Sequence, residues 1–109
     1  MKLNIKAIRK VMLDAARVAV DDRWPVLESF AEMQFSKLST ALYEIQRLYA
    51  AGKLDRRYAQ QLAIAEQNGI RVVLAGVRGL GTLTADKATR AATRAVAAEV
   101  NAAIGFKLL

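Results

Sequence analysis

Apolar residues recur at helical spacing along most of the chain, and the pattern is strongest in segment 25–51. Positions there that step by three and four residues are mainly apolar: Leu27, Ala31, Gln34, Leu38, Ala41, Ile45 and Leu48. Such steps return to one face of an α-helix, which takes about 3.6 residues per turn. A flanking stripe at intervals of seven widens this face: Phe35, Leu42 and Tyr49. The segment is predicted to be a helix that packs between two neighbours.

Two further segments have the same period. In residues 3–22, Ile5, Ile8 and Met12 share an apolar face opposite a basic one, which predicts an amphipathic helix. Residues 84–104 are rich in alanine, and Val96 and Val100 are among their few large apolar residues. Alanine favours helix formation, and its small side chain allows close packing against a neighbouring helix.

Segment 55–80 is less uniform. Its seam of apolar positions consists mainly of small residues: Leu62, Ala65, Gly69, Val72, Gly76 and Gly79. The phase continues through Gly69, which favours one continuous helix. Asn68-Gly69 is also a turn signal, and several nearby residues are β-branched. A hinge or a short strand within 68–81 therefore stays open as an alternative.

The breaks between the segments carry residues that begin and end helices. Asp22, Asp55 and Thr84 are the predicted N-caps, and Gly52 and Gly105 the predicted C-terminal glycines. Leu83, just before Thr84, is predicted to pack onto Ala88. The tail 106–109 is apolar and is predicted to be buried against another subunit, with a membrane surface as the alternative.

Together these elements predict an all-α protein, an elongated antiparallel bundle of about four helical segments at 3–22, 25–51, 55–80 and 84–104. We expect a single domain, residues 1–109. The second helix would be about 40 Å long, whereas a compact chain of this size has a diameter of roughly 34 Å. An elongated bundle this small leaves apolar surface uncovered unless copies associate.

Composition restricts the possible chemistry. The chain has no cysteine and no histidine, which excludes disulfides, zinc fingers and imidazole catalysis. Glu28 and Glu32, one turn apart, have no second such pair for a di-metal site. The glycines of segment 76–81 lack the Gly-Lys-Ser/Thr ending of a phosphate loop. The sequence predicts no catalytic residue, metal, cofactor or small-molecule substrate, and hence a protein that is not an enzyme.

The N-terminal region lacks the uninterrupted apolar core of a secretory signal. The longest apolar stretch, residues 70–83, contains Arg71 and Arg78 and is too short and too charged for a transmembrane helix. We expect synthesis in the cytoplasm, and membership of a larger particle fits the predicted association.

The positive charge is the main indication of a partner. Lys and Arg number 17 against 10 Asp and Glu, a formal net charge of +7. Candidate contacts with nucleic acid or an anionic membrane surface are Lys2, Lys6, Arg9, Lys10, Arg71, Arg78, Arg90 and Arg94. Arg71 and Arg78, seven residues apart, would share a helical face, and Asp86 would pair with Arg90. An ordinary solvated basic surface is the competing interpretation.

Our hypothesis from the sequence is a non-enzymatic structural or assembly protein that forms a homo-oligomer. Its predicted self-association seam comprises Leu38, Ile45, Leu48, Leu62, Gly69, Gly76, Ala92, Val96 and Val100. Two alternatives stay open. One is a nucleic-acid-binding accessory protein that uses the basic helix faces. The other is a membrane-active or conduit component of a phage or secretion-type assembly.

Overall fold

The computed structural model describes residues 2–109 and contains four α-helices. They are α1 (Ile5–Val20), α2 (Trp24–Ala50), α3 (Arg56–Ala75) and α4 (Thr82–Ile104). One turn of 3-10 helix, Asp21–Arg23, joins α1 directly to α2, so these two can also be described as one long helix with a sharp bend. No strand occurs within residues 2–109. The predicted all-α class is confirmed.

The helices form an antiparallel, elongated bundle. The Leu3 amide donates to the Gln46 side chain, and the Gln46 amide nitrogen donates to the Ala103 carbonyl. These bonds join the start of α1, the end of α2 and the end of α4 at one end of the bundle, which we call the tail end. The α1–α2 and α3–α4 connections lie at the other, the loop end. The bundle measures 43 × 22 × 18 Å, and it is elongated because the first dimension exceeds the other two.

The core is formed where α1 and α3 each pack against both α2 and α4. Its largest fully buried side chains include Phe35, Leu38 and Leu42 from α2. The alanines of α4 that face the core are also fully buried: Ala85, Ala88 and Ala92. Because these side chains are small, α4 approaches α1 closely, and this is the most extensive helix pair of the fold. The alanine-rich segment thus packs closely within the chain.

Three predicted helix ends are confirmed. Gly52 has a φ of 75°, and the next amide, that of Lys53, donates to the Leu48 carbonyl at 2.9 Å. This is the left-handed glycine ending that the sequence predicted for α2. The Asp55 side chain accepts from the Tyr58 amide at 2.7 Å and caps α3. At the end of α4, Gly105 is left-handed with a φ of 93°.

The α1–α2 connection differs from the prediction. Asp22 was predicted to cap the second helix, but it lies in the 3-10 turn, and α2 begins at Trp24 without a side-chain cap. The chain bends at Asp21, whose φ of 50° is the only positive value for a non-glycine residue in the described chain. Because the 3-10 turn leads straight into α2, the Trp24 amide already donates to the Asp21 carbonyl.

The α3–α4 connection also corrects the sequence analysis. The predicted helix does continue through Gly69, which excludes a hinge or strand there, but it ends at Ala75 instead of residue 80. Turns follow up to Leu80, and they bury Val77 and Leu80. The Arg23 side chain donates to the carbonyls of Gly79 and Leu80. Contacts from the first half of the chain therefore fix this turn.

The start of α4 is two residues earlier than predicted. Gly81, with a φ of 88°, occupies the N-cap position, and the helix begins at Thr82. Thr84 is therefore inside the first turn and does not cap the helix. Leu83 is 87% exposed and does not pack onto Ala88 as predicted, because the earlier start turns its side chain out of the bundle.

Candidate interaction surfaces

The structure divides the predicted association seam between core and surface. Five of its residues are buried inside the single chain: Leu38, Ile45, Ala92, Val96 and Val100. Leu48 and Leu62 are half-buried, and Gly69 and Gly76 are exposed. The period of the sequence marks apolar faces but does not say whether the chain itself or a second copy covers them. A role of these residues in self-association stays a prediction.

Gly69 lies in an open groove between α2 and α3. The groove is lined by Gln34, Lys37, Ala65, Glu66, Gly69, Ile70 and Val73. A Cβ atom added at Gly69 would meet no other atom within 4 Å. The glycine is thus not needed for close packing within this chain. Gly76, in contrast, is the C-cap of α3.

Apolar side chains border this groove on the half nearer the loop end. Gly69, Val72 and Val73 are spaced by three and four residues, which places them on one side of α3. On α2, Val26 and Phe30 have the same spacing, and Phe30 is one turn before Gln34 of the groove. The exposed fractions are 72% for Val72, 43% for Val73 and for Phe30, and 41% for Val26. We call the groove and these four side chains the α2–α3 face.

Sequence reasoning missed the part of this apolar border that belongs to α2. Val26, Phe30 and Met33 follow one another at steps of four and three, a second stripe beside the main apolar stripe of α2. All three are at least 41% exposed. The stripe could have been found, but the sequence alone does not show that it remains uncovered in the folded chain.

The tail end of the bundle is closed by the chain itself. Asn101 accepts from the Leu108 and Leu109 amides at 2.8 and 2.9 Å. The Phe106 ring meets Tyr49 edge-on, with centroids 4.9 Å apart, and Leu108 is 5% exposed. The tail packs on its own chain, so the burial of Leu108 needs neither another subunit nor a membrane. Contact of the half-buried Phe106 and Leu109 with another subunit or a membrane stays a prediction.

The cations of the N-terminal segment and the first turns of α1 are exposed and only partly paired. Lys2, Lys6, Arg9 and Lys10 all face solvent. Lys10 donates to Asp14 at 2.9 Å, and this hydrogen bond lowers the pKa of the Asp14 carboxyl below its ordinary value. Within residues 2–109, no ion pair involves Lys2, Lys6 or Arg9. Arg9 instead lines an open groove with Glu32 of α2.

The remaining predicted cations lie on α3, in the α3–α4 turn and on α4. Asp86 contacts Arg90 at 2.7 Å, so the predicted pair is confirmed. Asp86 also contacts Arg71 of α3 at 2.7 Å. Arg71 and Arg78 do not share a helical face as predicted, because α3 ends at Ala75 and Arg78 lies in the following turn.

A second groove brings basic residues of α4 together beside α1. It is lined by Ala19, Asp86, Lys87, Arg90, Ala91 and Arg94. Three of these six residues are cations, and the single acid is Asp86. We call this surface the α1–α4 groove. It unites the predicted Arg90 and Arg94 with Lys87. Lys2 and the α1 residues Lys6, Arg9 and Lys10 do not line it.

The described residues contain neither a metal site nor a membrane-spanning helix. Among residues 2–109, no three His, Cys, Asp or Glu side chains come together as a metal site. None of the helices described there is long and apolar enough to span a membrane. Comparisons of the chain with models of known protein families, with curated proteins and with solved structures find no match.

Proposed function

We propose that this protein is a non-enzymatic assembly component that associates with a second copy of itself through the α2–α3 face. The observation that carries the proposal is the exposure of Val26, Phe30, Val72 and Val73 around one groove. A partly exposed phenylalanine beside exposed valines is an apolar surface. Its contact with water is unfavourable, and its burial against a partner is favourable.

The charge distribution supports this face over the others. Together, α2 and α3 hold five cations and four acids, whereas α1 and α4 hold seven cations and three acids. Two copies of a protein with a net charge of +7 repel least where their faces are nearly neutral. Lys37 and Glu66 line the same groove, and a two-fold axis would place Lys37 of one copy near Glu66 of the partner.

The shape of the bundle leaves room for an interface of ordinary size along its side. A stable protein–protein interface buries about 800 Å² per partner. The long side of the bundle, 43 by 22 Å, offers roughly 900 Å² in projection, whereas its end, 22 by 18 Å, offers roughly 400 Å². Association along the side of the bundle can therefore reach a standard interface, and contact at the loop end alone cannot.

The non-enzymatic role and the cellular setting of this protein are inferred from its sequence alone. The absence of His and Cys supports a structural role over a catalytic one, because imidazole and thiol chemistry are missing. Cytoplasmic synthesis and incorporation into a larger particle are the setting in which such a component would act.

Paired glutamate substitutions test the proposal. Val72→Glu places a charge on the α2–α3 face. Val18→Glu is the matched control, since Val18 is 77% exposed and also precedes the end of its helix by less than a turn. Burial of one valine contributes about 1.5 kcal/mol, so a two-fold dimer loses about 3 kcal/mol. The dimer dissociation constant should rise about 100-fold with Val72→Glu and little with Val18→Glu.

Light scattering over a range of protein concentrations measures this difference. The proposal expects a mass that rises with concentration for the unmodified chain and for Val18→Glu, but a monomer mass for Val72→Glu at intermediate concentrations. A monomer mass for the unmodified chain at every concentration, or equal weakening by both substitutions, would contradict it. Circular dichroism of both variants checks that the helices are retained.

A further inference from the structure

We propose that the α1–α4 groove binds the phosphodiester backbone of nucleic acid without sequence preference. The site is formed by Lys87, Arg90 and Arg94, and it is separate from the face assigned to self-association. This inference does not depend on the proposed function. Its test measures binding to nucleic acid, which is expected whether the chain is a monomer or a dimer.

The groove has a surplus of positive charge. Its only acid, Asp86, is 2.7 Å from both Arg71 and Arg90, so its charge is already balanced from within the chain. Lys87 and Arg94 form no ion pair within residues 2–109, and both are exposed. With Asp86 satisfied, the cations of the groove attract an external anion.

The spacing of the cations suits a polymer of phosphates. Lys87, Arg90 and Arg94 are three and four residues apart and therefore share one side of α4. They span about 10 Å along the helix at about 1.5 Å per residue. One strand of duplex DNA advances about 3.4 Å along the duplex axis per phosphate. A duplex whose axis runs parallel to α4 therefore presents about three phosphates over that length, one for each cation.

The rest of the groove allows a backbone to approach. Ala19 and Ala91 line it beside the cations, and their methyl groups leave room above the helices. Arginine presents a planar fork of donors that matches phosphate oxygens. The groove offers no aromatic or amide side chain that could read a base, so recognition is confined to the backbone.

The shape favours nucleic acid over a membrane. The cations line a concave surface, which contacts a convex ligand such as a nucleic-acid strand along its length. A bilayer is flat on this scale, and a peripheral helix that binds it places large apolar side chains between its cations. Between Lys87 and Arg94 the only apolar residues are alanines.

The test is fluorescence anisotropy with labelled 20-base-pair duplexes of two unrelated sequences, at several salt concentrations. Lys87→Gln/Arg94→Gln removes two cations of the groove. Lys53→Gln/Arg57→Gln is the matched control, because it removes one Lys and one Arg that are exposed at the other end of the bundle. Arg90 is left in place so that its bond to Asp86 is kept.

Three phosphate contacts predict a slope of about −2.7 for the logarithm of the binding constant against that of salt concentration, and one contact predicts about −0.9. If the affinities are equal at 1 M salt, the groove variant binds about 200-fold more weakly than the unmodified chain at 50 mM salt. The control variant should keep the steep slope, and both duplexes should bind equally.

Two results would overturn the proposal. One is an equal loss of binding in the groove and control variants, which would mean that only the net charge matters. The other is binding to phosphatidylglycerol vesicles that depends on Lys87 and Arg94 when neither duplex binds at low salt, which would assign the groove to a membrane surface.

Discussion

The side chain of Gln46 joins three parts of the tail end, and its removal tests how the bundle is closed there. Its oxygen accepts from the Leu3 amide at 3.0 Å, and its nitrogen donates to the Ala103 carbonyl at 3.0 Å. Gln46 is 7% exposed and Leu3 is 5% exposed, so water cannot readily replace these partners. We expect Gln46→Leu to leave a buried amide without an acceptor.

The cost follows from the price of an unsatisfied buried donor, about 1–3 kcal/mol. For a chain of this size, each 1 kcal/mol lowers the Tm by about 4 °C, so the Tm should fall by roughly 4–12 °C. Gln34→Leu is the matched control. Gln34 is on the same helix and is 6% exposed, but neither the Leu3 amide nor the Ala103 carbonyl depends on it for a hydrogen bond, so the same substitution should cost much less.

Thermal unfolding, followed by circular dichroism at one low protein concentration, measures the Tm of both variants. Hydrogen exchange at the Leu3 amide gives a local readout, since protection there should be lost in Gln46→Leu and kept in Gln34→Leu. If the two variants were equally stable, or if the Leu3 amide stayed protected in Gln46→Leu, the assigned role of this side chain would be refuted.

Two further predictions concern a glycine and an ion pair. Gly69→Ala should raise the free energy of unfolding of the monomer by about 0.5–1 kcal/mol, because the glycine is helical and its surroundings are open. In light scattering, the same substitution should weaken dimerisation if a partner helix approaches the groove. Unchanged association would show that Gly69 is not in the interface. Lys10→Gln should raise the pKa of Asp14 toward its ordinary value of 3.8, as followed by NMR titration. Since the pKa of Asp14 is lowered in the folded chain, the ion pair stabilises the fold at pH values above the pKa of the unfolded chain. This contribution is lost as the pH falls through the pKa of the folded chain. An Asp14 titration that does not move in Lys10→Gln would argue against the pairing.

The sequence predicted helices and helix ends well where the determining residues lie in the same segment of the chain. The segment predicted at 25–51 is α2, Trp24–Ala50, because a continuous apolar stripe marks its length and Gly52 ends it. Gly52 needs no distant partner, since its left-handed φ alone closes the helix. Asp55 acts over three residues, so it could also be recognised from sequence.

The α3–α4 connection could not be predicted in the same way. Its turns depend on Arg23, which is 57 residues away from Leu80 and donates to its carbonyl at 3.2 Å. They also depend on the burial of Val77 and Leu80 by the other helices. Thr84 resembles a cap in sequence, but these non-local contacts start the helix earlier.

The candidate surfaces show a similar limit. Val96 and Val100 were predicted as seam residues, and they are buried in the single chain, because one copy suffices to cover the apolar face of α4. Phe30 received no role from sequence, and Val72 was placed only in the small-residue seam of segment 55–80. Both remain exposed beside the α2–α3 groove. Whether a face is covered depends on the relative positions of all four helices, which the period of one segment does not contain.

The central claim is contact between two copies through the α2–α3 face, and isotope-filtered NMR on a mixture of labelled and unlabelled chains tests it most directly. We expect intermolecular contacts from the Phe30 ring to the methyl groups of Val72 and Val73. Intermolecular contacts confined to Val18 or to α4, or none at concentrations where the mass exceeds that of a monomer, would contradict it.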